Sequence, residues 1–456
     1  GGQHRVDSFP DGTSVDLTLQ TDGSRQITMA DGTVTSLTRG PDPRFGMLSP
    51  VPALKSISTP GGRLREISTE RTVTLSDPDD LLSVTSMNLT TSINSRLFTA
   101  SYDAVAGTMV QTSPEGRTVT ATLDGRGRAA EKRLGTDHPI VFGYDTRGRL
   151  ETLTQGTGVE QRNLTIQYNP EGFTDTQTGP TGGVVAFTYD AAGRTLSQTL
   201  PDTRIIGYGY DDTGRLTSIT PPGRPAHLLR YNAAGRMDRY TAPDTGSGNN
   251  FTTLGYDLDQ RLRTITRPDG SSIAIDYNSI GRLQTKTLPT GTVTYGYDPS
   301  TGTVSSITAA DGSILTLAYD GFLQTGATWS GTVAGSVTRD HDDDFRVQTR
   351  RVNGAHAISF VFDGDGLPVQ AGSELIGRDV LTARLNSTAL GNVADSWTYD
   401  DFGELETYTA TYDGSPIWDV QYTQDKRGRI TTLVETIDGS TATWGYDYLP
   451  AGQLDL

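Results

Sequence analysis

The densest run of ionisable side chains in the sequence is Asp340-His341-Asp342-Asp343-Asp344. Oxygen-rich runs can hold Ca²⁺, which makes Asp340, Asp342 and Asp344 candidate ligands, and a His beside carboxylates can serve acid–base chemistry. A second reading competes. His341 lies 22 residues after Tyr319 and 21 before Phe362, and Arg346-Val347 follows it, so the run fills one slot of a chain-long repeat and forms a solvated turn. His4, His138, His227 and His356 are scattered without ligand spacing, and Asp77, Asp79 and Asp80 around Pro78 read as a loop. No nucleophile elbow, P-loop, HExxH or dinucleotide fingerprint occurs; Gly-x-Gly pieces such as Gly125-Arg126-Gly127 sit between strands with no helix after them. Cysteine is absent, which removes thiolate chemistry, disulfides and Cys-based metal sites. No catalytic residue and no cofactor site is expected.

The most repeated chemical set is Tyr-Asp/Asn-x-x-Gly-Arg. It occurs as Tyr144-Asp145…Gly148-Arg149, Tyr189-Asp190…Gly193-Arg194 and Tyr210-Asp211…Gly214-Arg215. It returns as Tyr231-Asn232…Gly235-Arg236 and Tyr277-Asn278…Gly281-Arg282. Looser copies start at Tyr168, Tyr256, Tyr297, Tyr319, Phe362, Tyr399, Tyr422 and Tyr446. From Tyr189 to Tyr319 the steps are 21, 21, 25, 21, 20 and 22 residues. An aromatic and acidic ladder of this kind could bind carbohydrate. The recurrence favours a structural role, because residues serving one site do not return a dozen times at equal spacing. Gly supplies positive φ, Asp or Asn caps the turn, Tyr packs on neighbouring strands, and Arg pairs with a nearby carboxylate.

Each period holds a second turn about ten residues on, as at Pro201-Asp202, Pro222-Gly223 and Asp311-Gly312. Between turns run short Thr-, Ile- and Tyr-rich segments such as Leu216–Thr220, which read as strands. Two reversals per period predict an all-β, antiparallel meander of hairpins. The faces of these strands read as mixed. Residues 1–100 carry degenerate hairpins around Asp11-Gly12, Asp22-Gly23 and Asp31-Gly32, and a Pro-rich break (Pro41, Pro43, Pro50, Pro52) is the best boundary candidate within them. Residues 101–456 form the repeat region proper, interrupted by insertions at 241–250 and around 371–394.

Composition narrows the class. Gly 53 and only 34 % hydrophobic residues depart from an ordinary globular core. No apolar run reaches the ~18 residues that a membrane-spanning helix needs. A net charge of −16 opposes nucleic-acid binding. The sequons at Asn88, Asn163, Asn250 and Asn386 matter only in a eukaryotic secretory pathway. An open twisted sheet rarely exceeds ~10 strands, so a meander of about 28 must close or spiral. At ~4.8 Å per strand a single coil has a perimeter of roughly 130 Å and a diameter near 40 Å, which encloses a lumen.

The Tyr-Asp-x-x-Gly-Arg-Leu pattern at this step resembles the YD-repeat (RHS) family: bacterial RHS polymorphic toxins, shell components of insecticidal toxin complexes, and teneurins. The resemblance implies a spiralling β-sheet cocoon around a C-terminal cargo polypeptide, in a secreted or surface protein of bacterial origin. It implies no enzyme activity in the shell. Toxin-bearing relatives end the shell with an Asp-Pro-x-Gly-type closing segment, often self-cleaving. Here the sequence stops at Tyr446–Leu456 inside another repeat, so self-cleavage falls on no residue of this chain. The alternative is a teneurin-like adhesion or carbohydrate-binding module with the two insertions as contact loops. A parallel β-helix enzyme fits less well, since its coils do not reverse twice per period.

Overall fold

The computed structural model describes residues 2–244, 246 and 248–455. Each strand from Gln3–Ser8 to Ser440–Gly445 pairs antiparallel with the next, giving one meander of 40 strands. A small separate hairpin joins Asp447–Tyr448 to Leu454–Asp455. The one helical element among the described residues is the three-residue 3₁₀ turn Gly158–Glu160. The all-β meander is as expected, but it is longer than the repeat count implies. Pairing runs straight through the Pro-rich segment, where Thr38 faces Leu54 and Arg39 faces Pro52 across a ladder irregularity, the kind of place where a sheet tolerates proline. The expected insertion around 371–394 is instead a further period, with strands Glu374–Arg378 and Leu385–Leu390 and Arg378 in the tyrosine slot. The loop at 242–250 does interrupt the rhythm, between Met237–Thr241 and Phe251–Tyr256. Thr245 and Ser247 within it lie outside the described residues.

A bulge beside every regular Tyr-Asp turn explains why the faces look mixed in sequence. Thr188 faces Ser197 but Tyr189 faces Thr195, so Leu196 is left over. The same irregularity recurs at Tyr210, Tyr231, Tyr256, Tyr277 and Tyr297. One extra residue reverses the alternation on the return strand. Followed through the pairing, the faces separate. Tyr189, Phe187, Ile206, Tyr208, Tyr210 and Ile219 share one; Thr188, Ser197, Gly207, Gly209, Ser218 and Thr220 share the other. One face is aromatic and aliphatic, and the other carries hydroxyls and glycines.

The sheet coils more than once. Thr59 donates to Asp320 at a separation of 261 residues, Ser113 to Asp365 at 252, Arg384 to Asp137 at 247, and Arg162 to Glu404 at 242. These contacts join strands about 23 apart, so one coil measures about 110 Å around and about 35 Å across at ~4.8 Å per strand. The strands per coil, not the total, set the width, and it is close to the single-coil expectation.

Among the described residues no second layer covers either face. The buried apolar residues among those described are Ile273, Leu323, Ala410 and Val420. The accessible surface is 26003 Å², whereas a compact 48.9 kDa monomer exposes about 17,000 Å². The excess is the second face of a single sheet wrapped around a hollow.

Candidate functional site

The repeated residues build one module, passed from hairpin to hairpin. The turn after Tyr144 closes when Gly148 N–H donates to the Asp145 carbonyl and Asp145 N–H to the Arg149 carbonyl, with Gly148 at φ +86°. This is a type I turn followed by a left-handed residue, a position that L side chains enter at a cost. The Asp145 carboxylate accepts the N–H groups of Arg147 and Arg149, both at 2.9 Å, and Arg149 Nε at 2.8 Å. Held there, the Arg149 guanidinium lies 4.0 Å over the ring of Tyr168 in the next hairpin. The Tyr168 hydroxyl then donates to the carbonyl of Leu150, the residue after that arginine, at 2.7 Å. Carboxylate orders guanidinium, guanidinium orders ring, and hydroxyl ties the ring to the preceding strand.

The other predicted copies follow with instructive departures. Tyr144 donates to Ala129 and lies under Arg128. Asp190 with Arg194 and Asp211 with Arg215 repeat the ion pair, and their arginines cover Tyr210 and Tyr231 at 4.8 and 4.9 Å. Tyr189, Tyr210 and Tyr231 donate to Thr174, Thr195 and Leu216. Where Phe173 takes the arginine slot, its ring stacks on Tyr189 at 5.0 Å, and the turn glycine Gly193 leaves room for it. Asn232 and Asn278 cap their turns through N–H groups alone, since a neutral amide has no charge for the arginine. Arg282 turns instead to the Gly302 carbonyl and to Asp11, while still covering Tyr297 at 4.5 Å. Tyr277 donates to Leu262 under Arg261. Arg236 is exposed and makes none of the motif's side-chain contacts, although Tyr256 beyond the 242–250 loop still donates to the Met237 carbonyl at 2.7 Å. Gly193, Gly214, Gly235 and Gly281 all sit near φ +80° to +86°.

Two looser copies are displaced by two residues. Gln424, not Tyr422, occupies the slot and donates Nε2 to the Leu405 carbonyl at 2.5 Å. Tyr448, not Tyr446, donates to Ile430 beneath Arg429.

Asp340, Asp342 and Asp344 do not form a ligand set. Asp340 pairs with Arg351, Asp342 caps its turn and holds Arg346, and Asp344 is shared by Arg96 and Arg346. Among the described residues no group of three His, Cys, Asp or Glu side chains is placed to hold a metal. His341 fills the tyrosine slot, facing Val347 across the bulge, and is buried. Burial first, then the adjacent Arg339, pushes its pKa down.

Asp344 belongs to the feature that the sequence does not announce, the seam between coils. Second turns of the first coil dock on Tyr-Asp turns of the second. Arg117 bridges Asp363 at 2.9 Å and Asp365 at 2.5 Å, with all three side chains about a tenth exposed. Asp365 also accepts the Ser113 hydroxyl and the Glu115 N–H. Burial raises the Asp365 pKa, but these donors outweigh it and hold the carboxyl below its ordinary value. Burial likewise works against the Arg117 charge, and its two carboxylates outweigh that, raising its pKa. Arg162 makes a two-pronged pair with Glu404 and lies 3.7 Å over Phe402. Asp320 accepts from the Thr59 hydroxyl and the Gly61 N–H, and a Cβ at Gly61 would strike that carboxylate at 2.6 Å.

No curated protein matches the chain in sequence. The fold is similar to the solved TcdB2-TccC3-TEV structure, with a TM-score of 0.67 at 11 % identity over 97 % of this chain and 31 % of that one. It is also similar to TcdB2-TccC3-Cdc42 (0.53, 12 %, 98 % and 27 %) and to the Photorhabdus luminescens Tc holotoxin pore (0.51, 13 %, 97 % and 30 %). The chain thus spans about a third of the length of these toxin-complex chains. The Teneurin YD-shell family model matches residues 8–455, and the chain belongs to that family.

Proposed function

We propose that the chain is a non-catalytic wall that encloses a C-terminal toxin or effector segment of a larger secreted or surface bacterial protein. Residues 101–456 would supply the regular repeats, and residues 1–100 the degenerate first strands of the same wall. The observation that carries this reading is the surface in excess of a compact monomer, about 9,000 Å². That surface belongs to a sheet whose successive coils are bolted tip to tip. A wall with one hydroxyl-rich face offers an unfolded chain hydrogen-bond partners, which lowers the cost of confining its polar backbone. The toxin-complex structures share the fold, which supports the reading. The test is limited proteolysis of the full reading frame. An enclosed C-terminal fragment surviving until the wall is denatured is the expected outcome; its digestion at the rate of a free peptide refutes containment.

A second reading, extracellular adhesion or carbohydrate recognition, draws on exposed Tyr412, Trp418 and Trp444 near the last strands. It predicts that Trp418→Ala together with Trp444→Ala abolishes cell or glycan binding.

A further inference from the structure

On the aromatic face, Arg339 and Arg350 stand directly opposite each other on neighbouring strands. Like charges in that position destabilise a sheet, and a bound anion would relieve the repulsion. Among the described residues no carboxylate pairs with either arginine. Arg339 donates only to the Gln324 amide oxygen, and Arg350 has no hydrogen-bond or ion-pair partner among the described residues. By contrast, the neighbouring Arg346 is held by two carboxylates and Arg351, on the other face, by Asp340. Both guanidinium groups line one open pocket with the carboxylate-paired Arg346, and its apolar walls include Phe360, Phe362 and Ile376. Arg339 is half-buried and Arg350 exposed, so the cations are reachable.

We propose that this pocket binds an acidic peptide segment, one in which a carboxylate side chain adjoins a large apolar one. A simple inorganic anion would satisfy the arginines but leave the phenylalanine rings uncovered. A peptide with adjacent Phe and Glu meets both halves, the carboxylate across the paired guanidinium groups and the ring on the apolar wall. This inference does not depend on containment, since it asks only what the face binds.

The test is calorimetric titration of the whole chain with acetyl-Gly-Phe-Glu-Gly-amide, beside versions carrying Gln for Glu or Ala for Phe. The expected result is saturable one-to-one binding of the Phe-Glu peptide, weaker for both versions and weaker as salt rises. A hydrogen-bonded charge is worth roughly 1.5–3 kcal/mol, so Arg350→Gln is expected to weaken binding about tenfold or more. Arg351→Gln removes the same charge from the opposite face and is expected to leave the affinity unchanged. Absence of binding, equal binding of the Gln or Ala version, or equal losses from the two arginine substitutions would overturn the proposal.

Discussion

Replacing Arg117 by Met tests whether the seam holds the coils together. Arg117, Asp363 and Asp365 are each about a tenth exposed, so the substitution strands two carboxylates between docked turns. Breaking a buried pair from one side costs about 3–5 kcal/mol. Here the lower end applies. Asp363 keeps the N–H groups of Asp365 and Leu367, and Asp365 keeps Ser113 and Glu115. About 3 kcal/mol is therefore expected, read as a lower urea midpoint at unchanged slope at pH 7. Adding Asp365→Asn to Arg117→Met should recover part of the loss, a coupling of about 1–2 kcal/mol, because one stranded charge is gone. A loss for Arg117→Met below about 1 kcal/mol, the range of exposed pairs, would refute the reasoning.

Acid should weaken the chain in a defined window. The Arg128 side chain holds Asp124 down to about 2, and the Ser300 hydroxyl holds Asp298 there. The unfolded chain binds these protons first, so stability is flat above about pH 5 and falls from about pH 4 towards pH 2; urea midpoints unchanged down to pH 3 would contradict this. Gly193→Ala should lower the melting temperature more than Gly12→Ala. Both positions have φ above +75°, but a Cβ at Gly193 would also strike the Phe173 ring at 2.4 Å while Gly12 is open. Tyr231→Phe should cost about 1 kcal/mol for the lost bond to Leu216, measured by denaturant titration. Arg215→Ala should lower the melting temperature and Arg236→Ala should not, since only Arg215 pairs with an aspartate and covers a ring.

Much of the architecture is legible because turn chemistry is local. Asp, Gly and Arg announce each hairpin, and their recurrence gives the strand number per period. The bulge hides the faces, since Leu196 and its counterparts break the period of two at the place where the motif invites counting. The displaced slots at Gln424 and Tyr448 mislead for a related reason: the hydrogen bond to the preceding strand needs a reaching donor, and a Gln amide serves as well as a Tyr hydroxyl. The seam is invisible in sequence, because Arg117 and Asp365 lie 248 residues apart and nothing local to either marks the meeting. The Asp340–Asp344 run looks like a site partly for that reason: Arg351 and Arg346 balance Asp340 and Asp342 locally, but Asp344 also pairs with Arg96 on another coil.

Containment is tested most directly by electron cryo-microscopy of the full reading frame that carries this chain. The expected result is a wall about 35 Å across at the level of the strand backbones, at ~4.8 Å per strand, with density for additional polypeptide inside it. A wall with an empty lumen and the C-terminal segment folded outside would contradict it.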